Sequence, residues 1–203
     1  FYLHELSDVR RVFRDVYGSN LVSAFRKHRD AGKLEIITCG ATHGFLPLMD
    51  PVPQAVRAQV HVAAQHYRKH FGRAPDGIWL PECAYTPGHE VFLKEAGLRF
   101  SFLESHGLTD AHPHPSYGVH APIVSPGGIV FFGRDMESSR QVWSSESGYP
   151  GDFDYREFYK DVGWELPMED LEDFLPDGQR KNLGIKYYRV TGRGTDLGHK
   201  QPY

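Results

Sequence analysis

The chain has 203 residues, 40% of them hydrophobic and 24% charged, with a formal net charge of −3. This length and composition suit one folded domain with a real core and exclude a disordered chain. The charge leaves no electrostatic footprint for nucleic acid or an anionic membrane, so a neutral polyhydroxylated ligand fits as well as any. No apolar run is long enough to cross a bilayer, and no basic-then-apolar signal segment opens the chain. The two cysteines, Cys39 and Cys83, have no metal-type spacing and read as free thiols of a reducing cytosol. The start at Phe1 and the end at Tyr203 read as those of a piece of something longer.

In chain order, Val9, Val12, Phe13, Val16 and Tyr17 recur at helical spacing behind a capping Ser7 or Asp8. A second helix from about Leu21 stops at Gly32. Leu34 to Thr38 is a short apolar run suited to a buried strand. Pro53 opens a helix whose face is Val56, Val60, Ala63, Ala64, Tyr67 and Phe71, closed by Gly72. Ile78 to Leu80 is the next strand, and Thr86-Pro87 the cap and first turn of a helix ending at Gly97. Phe100 to Leu103, Ile129 to Phe132 and Ile185 to Val190 complete the expected strands. Short apolar strands alternating with helices predict an α/β fold with a parallel sheet, part of a β/α barrel incomplete in this chain. The stretch from Asp152 to Asp177 is acidic and weakly periodic, and an excursion on the barrel rim is expected at about 136–183.

The polar signatures follow strand ends, where parallel α/β folds bind their ligands. In Gly77-Ile78-Trp79-Leu80-Pro81-Glu82-Cys83-Ala84-Tyr85 an apolar strand runs into a carboxylate flanked by Trp79, Pro81 and Tyr85. Pro81 cannot donate to a ladder, so the strand ends there and Glu82 projects beyond it. Aromatic neighbours suit a sugar, whose C–H faces pack on rings; a capping or surface glutamate fits the local pattern equally. His43, in Thr38-Cys39-Gly40-Ala41-Thr42-His43-Gly44, follows another strand end, where it either contacts substrate or is a satisfied structural group. Arg134-Asp135 reads as an ion pair or as a grip on hydroxyls, and Trp143 as a stacking platform or a residue covered by the rim. His66 and His70, at i and i+4, lack the glutamate of a zinc-protease helix, and no phosphate loop or nucleophile elbow occurs. No metal site and no cofactor is expected.

Taken together, the segments at 34–47, 77–85, 132–135, 141–145, 148–152, 155–159, 184–187 and 200–203 resemble glycoside hydrolase family 57, in its 1,4-α-glucan branching enzyme branch. The resemblance implies a seven-stranded β/α barrel of parallel strands with helical additions and Glu82 as nucleophile. It places His43, Trp79, Cys83, Arg134, Asp135 and Trp143 in contact with an α-glucan such as glycogen or amylose. It also implies retention of configuration without a metal. The family's acid/base aspartate has no counterpart here, so the chain by itself is expected to be inactive. Some members carry a tyrosine-bearing loop after the nucleophile; the stretch Thr109 to Pro126 is short and offers Tyr117. An α-amylase or 4-α-glucanotransferase of the same family is the near alternative. A zinc-dependent polysaccharide deacetylase and a non-catalytic glucan-binding protein are the more distant ones.

Overall fold

The structure is a computed structural model that describes residues 2–144, 146–148 and 161–185. The chain divides into two compact units, one running Val9–Asp135 and the other comprising Phe1–Asp8 with Met136–Tyr203. The expected strand at Ile185 to Val190 lies outside the described residues except for Ile185, which is not in a strand.

The larger unit is built on five short strands: β1 (Thr38–Cys39), β2 (Ile78–Trp79), β3 (Phe100–Leu103), β4 (Ile123–Val124) and β5 (Val130–Gly133). β1 and β2 pair in parallel, with Thr38 opposite Ile78 and Cys39 opposite Trp79. β3 and β5 pair in parallel over four residues, and a parallel bridge from Gly77 to Phe100 continues the order from β2 to β3. β4 departs from the expectation of parallel strands, because it pairs antiparallel with β5. The cause is the connection: only residues 125–129 separate the two strands, far too few for a crossover, so the chain closes as a hairpin. The described residues thus form a mixed α/β unit with small, mainly parallel sheets, matching the expected class but not a seven-stranded barrel.

Helix α3 (Pro53–Phe71) follows the sequence pattern closely. Pro53 opens it, Val56, Val60, Ala63, Ala64 and Tyr67 are buried, and Gly72 ends it at φ +76°, a conformation that glycine adopts without steric cost. The Tyr67 hydroxyl donates to the Ile36 carbonyl at 2.8 Å and ties α3 to the chain entering β1. Helix α4 (Glu90–Glu95) begins later than its sequence suggested. Thr86 to His89 form a turn, with the His89 N–H on the Thr86 carbonyl, so Thr86 is not the cap. The core comprises Leu46, Val56, Val60, Ile78, Leu80, Leu93, Leu98, Leu103, Leu108, Ile129 and Phe131, joining both sheets to α3, α4 and α5 (Ser105–Thr109). The fully buried Ser101 hydroxyl donates to the Ile78 carbonyl at 2.7 Å, adding a link between β3 and β2.

Near the start, α1 (Tyr2–Arg11) begins well before Ser7 and runs into a π-helical turn at Val12–Val16, with no residue buried. Helix α2 (Leu21–Asp30) is capped by Asn20, whose side chain accepts the Ser23 N–H. Beyond Asp135 lie α6 (Met136–Trp143) and α7 (Val162–Glu165). There the buried Asp161 carboxylate accepts the N–H groups of Gly163, Leu183 and Gly184 at 2.9, 2.9 and 3.0 Å.

Candidate functional site

The chain leaves β2 through buried Leu80 and Pro81 into a tight turn, closed by Cys83 N–H on the Leu80 carbonyl at 2.8 Å. Within that turn Glu82 sits at φ +58°, ψ +24° and Cys83 at φ +52°. Both lie in the left-handed region, which costs a non-glycine residue roughly 1–2 kcal/mol. Strain of this kind persists where the surroundings over-determine it, and it concentrates at active sites and ligand clamps. Here the surroundings are the buried Leu80, Pro81 and Cys83 side chains, which anchor both ends of the turn and leave Glu82 pointing out of it. The Glu82 side chain is 75% exposed, so its carboxylate is open to solvent.

The loop after β1 carries a third strained residue, His43 at φ +55°, in a turn where its N–H donates to the Gly40 carbonyl at 3.0 Å. Its Nδ1 lies 3.2 Å from Cys39 Sγ, and its Nε2 lies 3.8 Å from Glu82 Oε1. The second distance is that of an ion pair or a solvent-spanned approach rather than a direct hydrogen bond. Of the four non-glycine residues with positive φ among those described, three are therefore His43, Glu82 and Cys83, on two neighbouring loops.

Arg134 lies just past the end of β5. Its guanidinium donates to Glu104 Oε2 at 2.7 Å, with the Arg134 side chain only 25% exposed. A partly buried, charge-assisted bond of this kind is stronger than a surface pair. Burial pushes the Cys83 thiol up, while the charge and hydrogen bonding of Arg134 pull it part of the way back. The sequence reading paired Arg134 with the adjacent Asp135; the structure shows that Glu104 also takes a bond from this guanidinium. The signal for Glu104 was present: it directly follows strand Phe100–Leu103 as Glu82 follows its own strand.

An open cavity of about 1350 Å³ runs from this turn. Glu82, Cys83, Tyr85, Glu104, the Pro-rich stretch 111–116 and residues 123–127 form much of its wall. A buried carboxylate, that of Glu90, lines it as well. Burial works to raise the pKa of Glu90, but hydrogen bonds from Tyr85, the backbone of Glu90 and Gly88, and Ser125 hold it below the ordinary range. The Tyr85 hydroxyl is pushed up by burial and by its bond to Glu90. Neither interaction was foreseen from sequence.

The other expected site residues are placed as follows. Trp79 packs on Phe102 with ring centroids 6.0 Å apart, in a row with Phe100 and Phe132. Asp135 is exposed and immediately follows Arg134. Trp143 is 75% exposed on α6, in the smaller unit. The structure thus brings together Glu82, His43, Cys83 and Arg134. Among the described residues no cluster of three or more His, Cys, Asp or Glu side chains forms a metal site, and no helix is long and apolar enough to cross a membrane.

An open cavity at the carboxyl ends of strands, with carboxylates in its wall and aromatic residues beside it, has the makings of a glycoside-cleaving α/β site. The family model for glycosyl hydrolase family 57 matches residues 5–188, and the chain belongs to that family. It is 34% identical to the 1,4-α-glucan branching enzyme of Thermococcus kodakarensis over 94% of its length, and 35% identical to a probable 1,4-α-glucan branching enzyme of Mycobacterium tuberculosis over 86%. It spans 30% and 28% of those two proteins. Among solved structures, the α-amylase AmyC of Thermotoga maritima superposes with a TM-score of 0.85 at 45% identity, covering 100% of this chain and 39% of AmyC. The branching enzyme of Pyrococcus horikoshii superposes with a TM-score of 0.72 at 38% identity, over 97% of this chain and 35% of that one.

Proposed function

We propose that this chain carries the nucleophile of a retaining α-glucan enzyme, a 1,4-α-glucan branching enzyme, and that Glu82 is the attacking carboxylate. The observation that carries this reading is the placement of Glu82 on a left-handed turn past the end of β2, opposite His43 and at the mouth of the cavity. In the first step a Glu82 oxygen attacks the anomeric carbon. The bond from that carbon to the O4 of the next glucose breaks, and O4 takes a proton from the acid partner. In the second step a sugar 6-hydroxyl attacks the same carbon and releases Glu82, while its proton returns to the partner carboxylate.

Retention requires the two carboxyl groups to stand roughly 5–5.5 Å apart. No match to the family's acid/base aspartate occurs in this sequence, so we expect the 203-residue chain to be inactive alone. His43 and Arg134 hold and polarise the sugar, and Trp79 and Trp143 offer faces for glucose rings. Asp135 orients Arg134, and Cys83 contacts the substrate beside Glu82. The substrate is glycogen or an amylose-like glucan, and free thiols at Cys39 and Cys83 suit the cytosol.

Glu82→Gln in the full-length protein keeps the turn and removes the nucleophile, so turnover should disappear while the folded spectrum remains. Undiminished turnover would remove the proposal. The likeness to AmyC favours a second reading, hydrolysis of α-1,4 linkages. Product analysis separates the two: new α-1,6 linkages indicate branching, and new reducing ends without them indicate hydrolysis.

A further inference from the structure

His43 and Glu82 stand on separate loops, residues 40–52 between β1 and α3 and residues 80–89 between β2 and α4. The ladder between β1 and β2 is only two residues long and stops at Cys39 and Trp79. Past that point the sheet no longer fixes one loop against the other, yet the chemistry needs their side chains in register. Two side-chain contacts take over. On the first loop, Gln59 of α3 accepts the Thr42 N–H at 2.9 Å, donates to the Thr42 hydroxyl at 2.6 Å, and offers its backbone carbonyl to the Ala41 N–H at 3.1 Å. That secures the residues just before His43 to a helix.

Between the loops runs a direct bond, His89 Nε2 to Asp50 Oδ1 at 2.6 Å, with the His89 side chain 5% exposed. The tautomer follows from the other ring nitrogen. The Thr86 N–H can only donate, and it does so to Nδ1 at 3.3 Å. The neutral ring therefore carries its hydrogen on Nε2 and donates it to the carboxylate. Both ring nitrogens are thus committed, one to its own loop and one to the loop of His43. Asp50 lies seven residues after His43 and His89 seven after Glu82, so the bond closes the far side of the same pair of loops. The Tyr85 ring stands edge-on to His89, centroids 6.2 Å apart, and limits how far the imidazole can swing.

We propose that the His89–Asp50 bond sets the separation between His43 and Glu82, making His89 and Asp50 positioning residues for the reaction. The inference rests on the assignment of Glu82 as nucleophile. The bond acts through geometry: a displacement of about 1 Å at a reacting group costs on the order of 100-fold in rate.

The test uses the full-length protein and rates expressed per folded molecule. Asp50→Ala and His89→Gln are expected to lower kcat tenfold or more with KM within about twofold. Asp50→Asn keeps an oxygen that accepts the same Nε2–H and should restore kcat to within about threefold of the parent. In a His43→Ala background the additional loss from Asp50→Ala should shrink to less than about twofold, because contacts that act through one another are not additive. A parent-like kcat for Asp50→Ala, or the full loss repeated in the His43→Ala background, would overturn the inference. Failure of the underlying assignment looks different: Glu82→Gln would then turn over normally whatever Asp50 and His89 do.

Discussion

Replacing Glu82 by glycine and by alanine measures the strain at the turn. Both substitutions remove the carboxylate, which is 75% exposed and 3.8 Å from its nearest ionic partner, so truncation itself costs about 0–1 kcal/mol. The two variants differ only in a Cβ. Alanine retains the left-handed penalty at φ +58°, roughly 1–2 kcal/mol, and glycine escapes it. Against that, glycine loses about 0.5–1 kcal/mol more backbone freedom on folding than alanine. The balance makes Glu82→Gly more stable than Glu82→Ala by about 0–1.5 kcal/mol, with a midpoint near 0.75, while both abolish turnover. At an ordinary right-handed or extended position the order reverses, with glycine worse by about 0.5–1 kcal/mol. Paired thermal and urea melts read the sign directly, since 1 kcal/mol moves Tm by about 2–4 °C in a domain of this size. A glycine variant melting below the alanine variant would refute the strained turn and, with it, the argument that the fold holds Glu82 for a chemical purpose.

At Gly77 an added Cβ would press inside van der Waals contact with the Phe100 ring and 2.8 Å from Ile37 Cγ2; Gly77→Ala should cost about 1–3 kcal/mol, seen as a lower urea midpoint at unchanged slope. Arg134→Ala removes the cation that partly offsets burial at Cys83, so the pH midpoint of Cys83 alkylation should move up; an unmoved midpoint would separate Arg134 from that thiol. Glu90 is held below the ordinary carboxylate range, its hydrogen bonds overcoming the effect of burial. Its folded pKa therefore lies below its unfolded value of about 4.3. The stability it contributes is complete above that unfolded value and is lost as pH falls through the folded one. Acid unfolding of the parent should thus be steeper below about pH 4 than that of Glu90→Gln, measured by circular dichroism.

Much of this chain was legible from residue pattern. Helix α3 could be read in detail because a 3.6-residue apolar period, a proline at its start and a glycine at its end all specify the same element. Strand ends were visible at Pro81 and Gly133, and the rule that α/β sites gather there pointed to Glu82, His43 and Arg134, which the structure brings onto neighbouring loops. Those signals are local, so one segment of sequence contains all of their causes. The antiparallel course of β4, the Arg134–Glu104 bond, the Glu90–Tyr85 contact and the His89–Asp50 bond were settled by tertiary structure alone. Arg134 and Glu104 are 30 residues apart and His89 and Asp50 are 39 apart. A hydrogen bond depends on distance and angle between atoms whose positions are fixed by packing of the whole core, and no periodicity in the chain encodes that.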